Sequence, residues 1–319
     1  MDLEVKLDLL AMLNRYCQYG WTKQAICHQW GISLQTFYGI KPISQKIANS
    51  SRIQLNTITS FEREAIRGYA LNHTELNHRE LAYRMLDGDI VAVSPSTVYR
   101  ILKEYYLIRQ RAKRAKPDIW HPHQGVTRPD QVWQTDLMCL MFQHREYYLL
   151  SYLDIYSRFT VYHKLCLTMT GDSIGQASQE AMDQTGIIPE SIQSDNGSCY
   201  VSHEYRSLMK QLEIDHRRIH PHCPNENAEI ERYHRTVREL VDINDATTFA
   251  ELEELIKERI YYYNYIRYHS RIGFIPPYVK YRGNPEQIFA ERTKKLEKAK
   301  TKRMKINAHK LLSKARNLY

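Results

Sequence analysis

The sequence lacks any long apolar run, and its cysteines are few. No stretch approaches the ~20 consecutive apolar residues that a membrane-spanning helix needs. The first residues, Met-Asp-Leu-Glu, do not have the basic-then-apolar order of a secretory signal. The six cysteines are scattered and form no paired framework, which favours a reducing compartment. We therefore expect a cytoplasmic protein without a membrane partner.

Acidic residues are outnumbered, and the surplus of positive charge is concentrated at one end. Lys and Arg number 45 and Asp and Glu 36, which gives a net charge of +9. Residues 291–319 contain eight Lys, three Arg and two Glu, so this tail accounts for the whole net charge. A second basic cluster consists of Arg109, Arg111, Lys113, Arg114 and Lys116. Both runs are candidate phosphate contacts, because neutralising DNA releases counterions. A solvated, frayed terminus is the alternative interpretation of the tail.

The first fifty residues have a helical pattern with one tight turn. Residues 22–30 and 34–40 are predicted helices, and Gly31 between them permits the turn. Two short helices joined in this way form a helix-turn-helix. Residues 1–50 are thus predicted to bind DNA through three polar residues of the second helix: Gln35, Thr36 and Tyr38.

A second unit of this kind is predicted over residues 57–108. Thr59 caps its first helix, a second helix covers about 77–86, and Ser94 caps a third. The third helix offers four residues to a DNA groove or to phosphates: Thr97, Tyr99, Arg100 and Lys103. Either unit alone fits a plain helical bundle equally well. Two units in tandem, followed by basic residues, favour DNA binding.

The hydrophobic period changes after a basic, proline-containing linker at 109–130. Three strand-like runs come first, and helices then alternate with short strands, which indicates a mixed sheet covered by helices. We predict a multi-domain chain: all-α helix-turn-helix units, an α/β core at 131–245, a C-terminal helix and adjoining segment at 246–290, and the basic tail at 291–319. The strands are predicted at 131–141, 146–156, 159–167, 191–194 and 215–219, and the core helices at 172–185, 202–212 and 225–241.

Three acidic residues of the core are candidate functional residues. Asp136 lies inside an apolar, strand-like run, Asp195 ends a short strand, and Glu231 lies on a helix. Each acid alone has a structural explanation, as a turn cap or a surface residue. Together they offer the hard oxygen ligands that Mg²⁺ prefers, and two such ions ~3.5–4 Å apart can act on one phosphodiester.

Four motifs surround these acids: Thr135-Asp136, Leu153-Asp154-Ile155-Tyr156-Ser157-Arg158, Ser194-Asp195-Asn196-Gly197, and the run from Pro224 to Arg232. They resemble the integrase core of the DDE-type (Asp, Asp, Glu) transposases of bacterial insertion sequences, which are similar to retroviral integrases. Thirty-five residues separate Asp195 from Glu231, the spacing by which that family is known. The segment Tyr263–His269 looks like the one that follows the core in such enzymes. The resemblance implies a ribonuclease-H-like fold with Asp136, Asp195 and Glu231 as catalytic metal ligands.

A transposase is the function that this resemblance implies. Such an enzyme would bind double-stranded DNA at the terminal inverted repeats of its element and cut one strand with two Mg²⁺ ions, with Mn²⁺ able to substitute. It would then join the 3′-hydroxyl end to target DNA, without a nucleotide cofactor, as a homo-oligomer in the bacterial cytoplasm. Three residues on the predicted Glu231 face of the helix are assigned to DNA: Asn227, Arg235 and Arg238. Asp154 is interpreted as structural.

Other functions stay open on the sequence alone. A catalytically silent, integrase-like regulator would bind DNA through residues 1–108, and a structure-selective nuclease would cut without joining. A serine recombinase is disfavoured, because no serine has an evident activating base. His220, His222 and Cys223 suggest a zinc site, but three ligands in four residues cannot easily surround a tetrahedral ion.

Overall fold

The computed structural model describes residues 12, 15–17, 21–35, 55–108, 125–220 and 223–316. Most of the first predicted helix-turn-helix, including Thr36 and Tyr38, lies outside the described residues, as does most of the linker at 109–130. Residues Ser60–Glu297 form one compact unit, and the rest of the chain forms a second. Within the described ranges, no helix has both the length and the apolar character needed to cross a membrane.

The helix α1 spans Lys23–Gln29. Thr22 caps it by accepting a hydrogen bond at 3.2 Å from the amide three residues further on. Gly31, just beyond the helix, has φ +64°, the left-handed conformation that commonly follows a helix end. Ile26 and Cys27 form the buried face. The first predicted helix and its turn are confirmed, whereas the helix after the turn is described only at its first two residues.

A three-helix unit follows, with α2 at Ser60–Asn72, α3 at His78–Asp87 and α4 at Pro95–Glu104. Asn77 caps α3 by accepting from two amides at 3.1 Å, and Ser94 caps α4 by accepting from a third at 3.3 Å. The helices bury the apolar residues Ile66, Leu81, Met85, Val98 and Ile101. The predicted helices of residues 57–108 are therefore present, and their DNA binding stays a prediction.

Five strands form one mixed sheet within the described residues. They are β1 at Val132–Phe142, β2 at Arg145–Asp154, β3 at Thr160–Cys166, β4 at Ser191–Ser194 and β5 at Asp215–Arg218. Their spatial order is β3-β2-β1-β4-β5. The first three are antiparallel to their neighbours, and β4 and β5 are added in parallel beside β1. The strands predicted from the sequence are all found.

A tight hairpin at Gln143-His144 joins β1 to β2. Both residues have positive φ, 48° and 61°, as the two-residue turns that match strand twist require. β2 ends at Asp154, two residues earlier than predicted. The reason is the Asp154 carboxylate, which accepts hydrogen bonds from the Ser157 amide at 2.8 Å and its hydroxyl at 2.5 Å. A side chain that bonds to its own backbone a few residues on turns the chain out of the strand.

Helices cover both faces of the sheet. α5 at Gly171–Thr185, α6 at Ser198–Val201 and α7 at His203–Gln211 pack on one face. On the other face pack α8 at Ala228–Leu240 and α9 at Phe249–Tyr265. Alternate residues of β1 divide between two cores, because side chains alternate along a strand. The core beneath α5–α7 includes Trp133, Tyr152, Ala177 and Tyr205. The core beneath α8 and α9 includes Met138, Leu149, Ile230 and Ile260.

The start of α8 and the organisation of the C-terminus also differ from the prediction. Pro224–Asn227 is a 3₁₀ turn, so the predicted helix begins only at Ala228 as α8. At the C-terminus, α10 at Pro277–Arg282 precedes α11, a continuous helix at Pro285–Arg316. The predicted tail boundary at 291 therefore falls inside a helix. The mixed sheet with helices on both faces fits the ribonuclease-H-like core that the motifs implied.

Candidate active site

Asp136 lies within β1, and Asp195 directly follows β4, the parallel strand beside it. The parallel register of β1 and β4 pairs Gln134 with Gln193, and each aspartate follows its glutamine by two residues. Neighbouring strands lie ~4.8 Å apart, and side chains two residues apart share a face. Continued by two residues, the register places both aspartates side by side just beyond the end of β4, on the face of the sheet covered by α8 and α9.

Two glutamines join these strands to the start of α8. Gln134 and Gln193 both donate side-chain hydrogen bonds to the Glu226 carbonyl at 2.7 Å. The Gln134 side-chain oxygen accepts from the Ile230 amide at 3.1 Å, which satisfies a free donor in the first turn of α8. Only 0% and 8% of the two glutamines is exposed, so water does not compete for these bonds. The sheet thus fixes where the helix of Glu231 begins.

His234 brings α8 into contact with the aspartate pair. Its Nδ1 lies 3.3 Å from Oδ2 of Asp136, and its ring is buried. Glu231 lies three residues earlier on the same helix and is exposed. No three His, Cys, Asp or Glu side chains are grouped so that they could hold a metal ion in the part of the chain that the structure describes. The structure therefore brings Asp136 and Asp195 together and places Glu231 on the adjoining helix, but it does not converge all three side chains.

The electrostatics of the aspartate pair favour a cation. Burial raises the pKa of Asp195, and the negative charge of nearby Asp136 raises this pKa further. A hydrogen bond from the Gly197 amide at 2.9 Å opposes these effects in part. Two adjacent negative charges at a half-buried edge repel each other, and a divalent ion would relieve that repulsion. The donor atoms are carboxylate oxygens, which suit Mg²⁺.

Asp154 lies on the other side of the sheet. It pairs with Trp133 across β1 and β2 and therefore faces away from Asp136. Besides its bonds from Ser157, its carboxylate accepts from the Asp130 amide at 2.9 Å. Its side chain is fully buried, and burial raises its pKa. These contacts give Asp154 the structural role that the sequence indicated.

Arg158 ties the turn after β2 to the first turn of α8. Its backbone has φ +67°, and its guanidinium contacts both carboxylate oxygens of Glu229, at 2.9 and 2.8 Å. The two side chains are only 14% and 21% exposed. One of these contacts is a hydrogen bond and the other a close charge contact, and together they restrict orientation as well as distance. α8 is thus held at two points, by Gln134 and by Arg158.

The residues assigned to DNA divide into exposed and buried ones. The exposed ones are Gln35, Tyr99, Arg100, Lys103, Arg235 and Arg238. Thr97 is partly buried and accepts a hydrogen bond from Arg100 at 3.3 Å. Asn227 requires a correction, because only 3% of its surface is exposed and it offers no surface to DNA. The chain at Asn227 is a 3₁₀ turn, so its distance of four residues from Glu231 does not place the two on one exposed helix face.

The loop before α8 engages one of the histidines considered for zinc. His220 Nδ1 lies 2.8 Å from Oε1 of Glu226, and the His220 amide donates to the other carboxylate oxygen at 2.8 Å. Cys223 is exposed, and His222 lies outside the described residues. His220 therefore helps to anchor Glu226, whose carbonyl receives the two glutamines.

Several contributors to the site were not predicted: Gln134, Gln193, His234 and the Arg158–Glu229 pair. The glutamines had a signal, because each precedes an aspartate by two residues and must share its face. His234 also had one, since it follows Glu231 by three residues on the helix. The ion pair leaves no pattern in the sequence, because its partners are 71 residues apart.

Comparison with known proteins gives matches over the core. Two family models, each described as an integrase core domain, match residues 126–224 and 212–277. The transposase for insertion sequence element IS904 of Lactococcus lactis subsp. lactis (strain IL1403) is 28% identical over 175 residues, which are 53% of this chain and 68% of that transposase. An uncharacterized 39.2 kDa protein of insertion element IS476 from Xanthomonas euvesicatoria is 26% identical over 197 residues, which are 60% of this chain and 57% of that protein.

The match to the IS476 protein spans less than two thirds of that protein's length. Among solved structures, the HTLV-2 integrase catalytic core domain in complex with magnesium (trimeric form) is similar to this chain, with a TM-score of 0.42 and 18% identity. That similarity covers 49% of this chain and 98% of the viral domain.

Proposed function

We propose that this chain, whose core matches integrase core domains and resembles an insertion-sequence transposase, carries out DNA transposition. In this proposal it binds the terminal inverted repeats of its element and cuts DNA strands there with two divalent metal ions. It then joins the resulting 3′-hydroxyl ends to target DNA. Two ends must be held together for such a reaction, so at least two copies of the chain assemble on the DNA.

The proximity of Asp136, within β1, to Asp195, directly after the neighbouring strand β4, carries this proposal. The residues that would hold Mg²⁺, or Mn²⁺ in its place, are Asp136, Asp195 and Glu231. When bound, the ions would supply positive charge that activates water and stabilises the oxygens around the reacting phosphorus. The oxygen-only donor set and the mutual repulsion of the aspartates support this assignment.

The chain's own residues would hold the site in place. His234 orients the Asp136 carboxylate, because its buried ring leaves Nδ1 in a single position beside Oδ2. Gln134 and Gln193 hold the start of α8 against the strand ends, which sets the position of Glu231 along the sheet edge. Residues that contact the metal ligands, but not the metal itself, orient those ligands and tune their affinity for the metal.

Exposed basic residues would bind the DNA. Arg235 and Arg238 follow Glu231 by four and seven residues and therefore share its helix face, where they would contact the phosphates of the strand to be cut. α4 presents a second exposed set, Tyr99, Arg100 and Lys103, to the repeat. A short helix of a three-helix unit that carries aromatic and basic residues suits a DNA groove.

Replacing Asp195 with Asn tests the proposal, because it removes the charge and keeps the size. We expect cutting of repeat ends and joining of precut ends to fall at least about a thousandfold, as when a group that acts only in the transition state is removed. Binding to duplex ends should persist. Asp183→Asn, an exposed acid on α5, is the matched control and should act like the wild type.

The same assays separate the alternative functions. Joining that is unaffected by D195N would overturn the assignment of the site. Precut ends that yield no joined product under Mg²⁺ or Mn²⁺, while cutting continues, would indicate a nuclease. Repeat binding by a wild-type chain that neither cuts nor joins would indicate a silent regulator.

A further inference from the structure

The segment Tyr263–His269 contacts the catalytic core at one end. The Asn264 side-chain oxygen accepts from the Thr160 amide, and its side-chain amide donates to the Thr160 carbonyl, both at 2.9 Å. Asn264 is 5% exposed, and Thr160 begins β3, which lies at the edge of the sheet. The side-chain amide thus pairs with the backbone much as a neighbouring strand would. This pairing fixes the end of α9 to the sheet.

At its other end, the same segment contacts the three-helix unit. The Tyr268 hydroxyl donates to Oδ2 of Asp87, the last residue of α3, at 2.7 Å. The Arg84 guanidinium lies over the Tyr268 ring, 4.8 Å from its centroid, and reaches the Ile266 carbonyl at 3.5 Å. Asn264 and Tyr268 are four residues apart, so a very short piece of chain joins the sheet to α3.

Arg292 of α11 completes the contact with Asp87. Its Nε and Nη2 donate to the two carboxylate oxygens at 2.8 and 2.7 Å. Its guanidinium also donates to the Gly273 and Phe274 carbonyls at 2.8 and 2.7 Å, and only 5% of Arg292 is exposed. A buried bidentate ion pair with further hydrogen bonds restricts both the distance between its two side chains and their relative orientation. It leaves little room for movement between the partners.

Apolar and capping contacts surround this ion pair. The Tyr83 and Phe274 rings stack with centroids 4.9 Å apart and an interplanar angle of 20°. Lys295 donates to the carbonyls of Leu86 and Asp87 at 3.1 Å and so places a positive charge at the C-terminal end of α3. The contact therefore combines packing, helix capping and charge at one place.

We propose that Asp87, Tyr268 and Arg292, here called the Asp87 clamp, set which phosphodiester the enzyme cuts relative to the bound repeat. The inference rests on the proposed function, because it takes α4 to bind the repeat and the aspartate pair to act at the cut. α4 packs against α3, α3 ends in the clamp, and Asn264 continues the path to the sheet that holds Asp136. The clamp residues touch no DNA in this proposal and are positioning residues.

In this proposal the protein, rather than the DNA, sets the distance between the bound repeat and the cut site. While the clamp is closed, the separation between α4 and the aspartate pair is fixed by direct contacts between folded elements. Once the clamp is open, α4 is joined to β1 along the chain only through residues 105–131. Cutting should then become less exact in position, although the repeat is still bound and the aspartates are still in place.

Position-resolved cutting tests the clamp in the full-length chain. The substrates are end-labelled duplexes with the element's terminal sequence, either unaltered or with five base pairs inserted between the repeat and the cut site. Five base pairs turn B-DNA by about half a turn, which moves the cut site to the far side of the helix. The variants are Tyr268→Phe, which removes only the hydroxyl bond to Asp87, and Asp87→Asn. The control is Tyr261→Phe, an exposed tyrosine of α9.

We expect the wild type and Y261F to cut one phosphodiester and to fall at least about tenfold in cutting rate with the inserted DNA, because a half turn misplaces the scissile strand. Y268F and D87N should bind the repeat as the wild type does, cut at several neighbouring positions and tolerate the insertion better. Variants that cut the single wild-type position with the wild-type dependence on spacing would overturn the clamp, even if their overall rate falls.

Hydrogen exchange separates failure of the clamp from failure of the proposed function. In the DNA-free chain, the backbone amides of residues 266–269 and 86–90 should exchange faster in Y268F than in Y261F. Equal exchange in the two variants would overturn the clamp whatever the chain does to DNA. A wild type that binds repeats without cutting them would overturn the proposed function, and with it the positioning role, even if exchange is faster in Y268F.

Discussion

Arg158 and Glu229 form a two-point ion pair, at 2.9 and 2.8 Å, between the turn after β2 and the first turn of α8. The pair is largely buried and joins two regions that are far apart in the sequence. Because α8 carries Glu231 and His234, this ion pair supports the helix from which the site is completed. Its contribution to the free energy of unfolding can be compared with that of an exposed pair in the same core, Arg217 with Asp215.

Arg158→Ala should destabilise the protein by about 3 kcal/mol, because Glu229 is left as a poorly solvated, unpaired charge. Arg217→Ala removes a pair whose side chains are 58% and 60% exposed and should cost about 0–1 kcal/mol. Urea unfolding of both variants measures the difference in free energy of unfolding. Similar decreases in the two variants would contradict the view that α8 is held by a buried pair.

His234→Ala should weaken the response of cutting to Mg²⁺. The variant lacks the Nδ1 atom that lies beside Asp136, so we expect the Mg²⁺ concentration for half-maximal cutting to rise about 10–100-fold, as is usual for residues behind metal ligands. His234→Asn keeps a donor near that place and should recover part of the response. His203→Ala, an exposed histidine of α7, serves as control. An unchanged Mg²⁺ dependence in H234A would show that His234 does not orient Asp136.

His269 should make the protein less stable in acid. Burial lowers the pKa of His269 to about 3, and the nearby Arg158, Arg267, Arg232 and Arg271 contribute in the same direction. In the unfolded chain this pKa is about 6.5, so between the two values the unfolded state binds a proton that the folded state does not. Stability from this residue is complete above about pH 6.5 and falls by about 1.4 kcal/mol per pH unit below it.

Replacement of His269 by Asn provides the measurement. Asn keeps an acceptor for the Arg271 amide, which donates to His269 Nδ1 at 3.3 Å, and it has no proton to gain. Urea unfolding between pH 7.5 and 4.5 should show a shallower loss of stability in H269N than in the wild type. His203→Asn should follow the wild type, because its ring is exposed. Parallel pH curves for H269N and the wild type would rule out this contribution.

The exposed lysines of α11 should contribute to the salt dependence of DNA binding. Replacing Lys298, Lys300, Lys302 and Lys305 with Gln should weaken binding and flatten its dependence on salt, by a slope of about 0.9 for each phosphate that is no longer neutralised. Lys210→Gln with Lys257→Gln, on other helices, is the control. An unchanged slope would show that these lysines do not contact phosphates. This part of α11 would then be a solvated terminus, the alternative interpretation of the tail. Arg292 is excluded from the set, because it is buried in the Asp87 clamp.

Local signals in the sequence predicted most of the elements. Ser94 caps α4 as expected, Gly31 follows α1 in the left-handed conformation, and the alternation of apolar residues located the strands. These signals work because a cap, a turn or a strand face depends on residues only a few positions apart. Asp136 lies inside β1 and Asp195 directly follows β4, as the motifs in which they stand indicate.

Long-range contacts were not predictable in the same way. The basic run after 291 indicates a DNA-contacting tail or a solvated terminus, yet its first arginine, Arg292, pairs with Asp87, 205 residues earlier in the chain. The spacing of Asn227 from Glu231 predicts a shared helix face, yet Asn227 lies in a 3₁₀ turn and is buried. A charge run or a helical spacing shows what a residue could contact, and only the fold selects the partner.

The alignment of β1 with β4 rests on three paired positions. Because a slip of one residue turns every side chain of a strand to the other surface, it would carry Asp195 away from Asp136. A molecule misaligned in this way would keep its helices, its strands and its affinity for DNA while being chemically inert. Circular dichroism would not distinguish such a molecule from the native one. The fraction of a preparation that has folded correctly must therefore be measured by counting the active sites that can react.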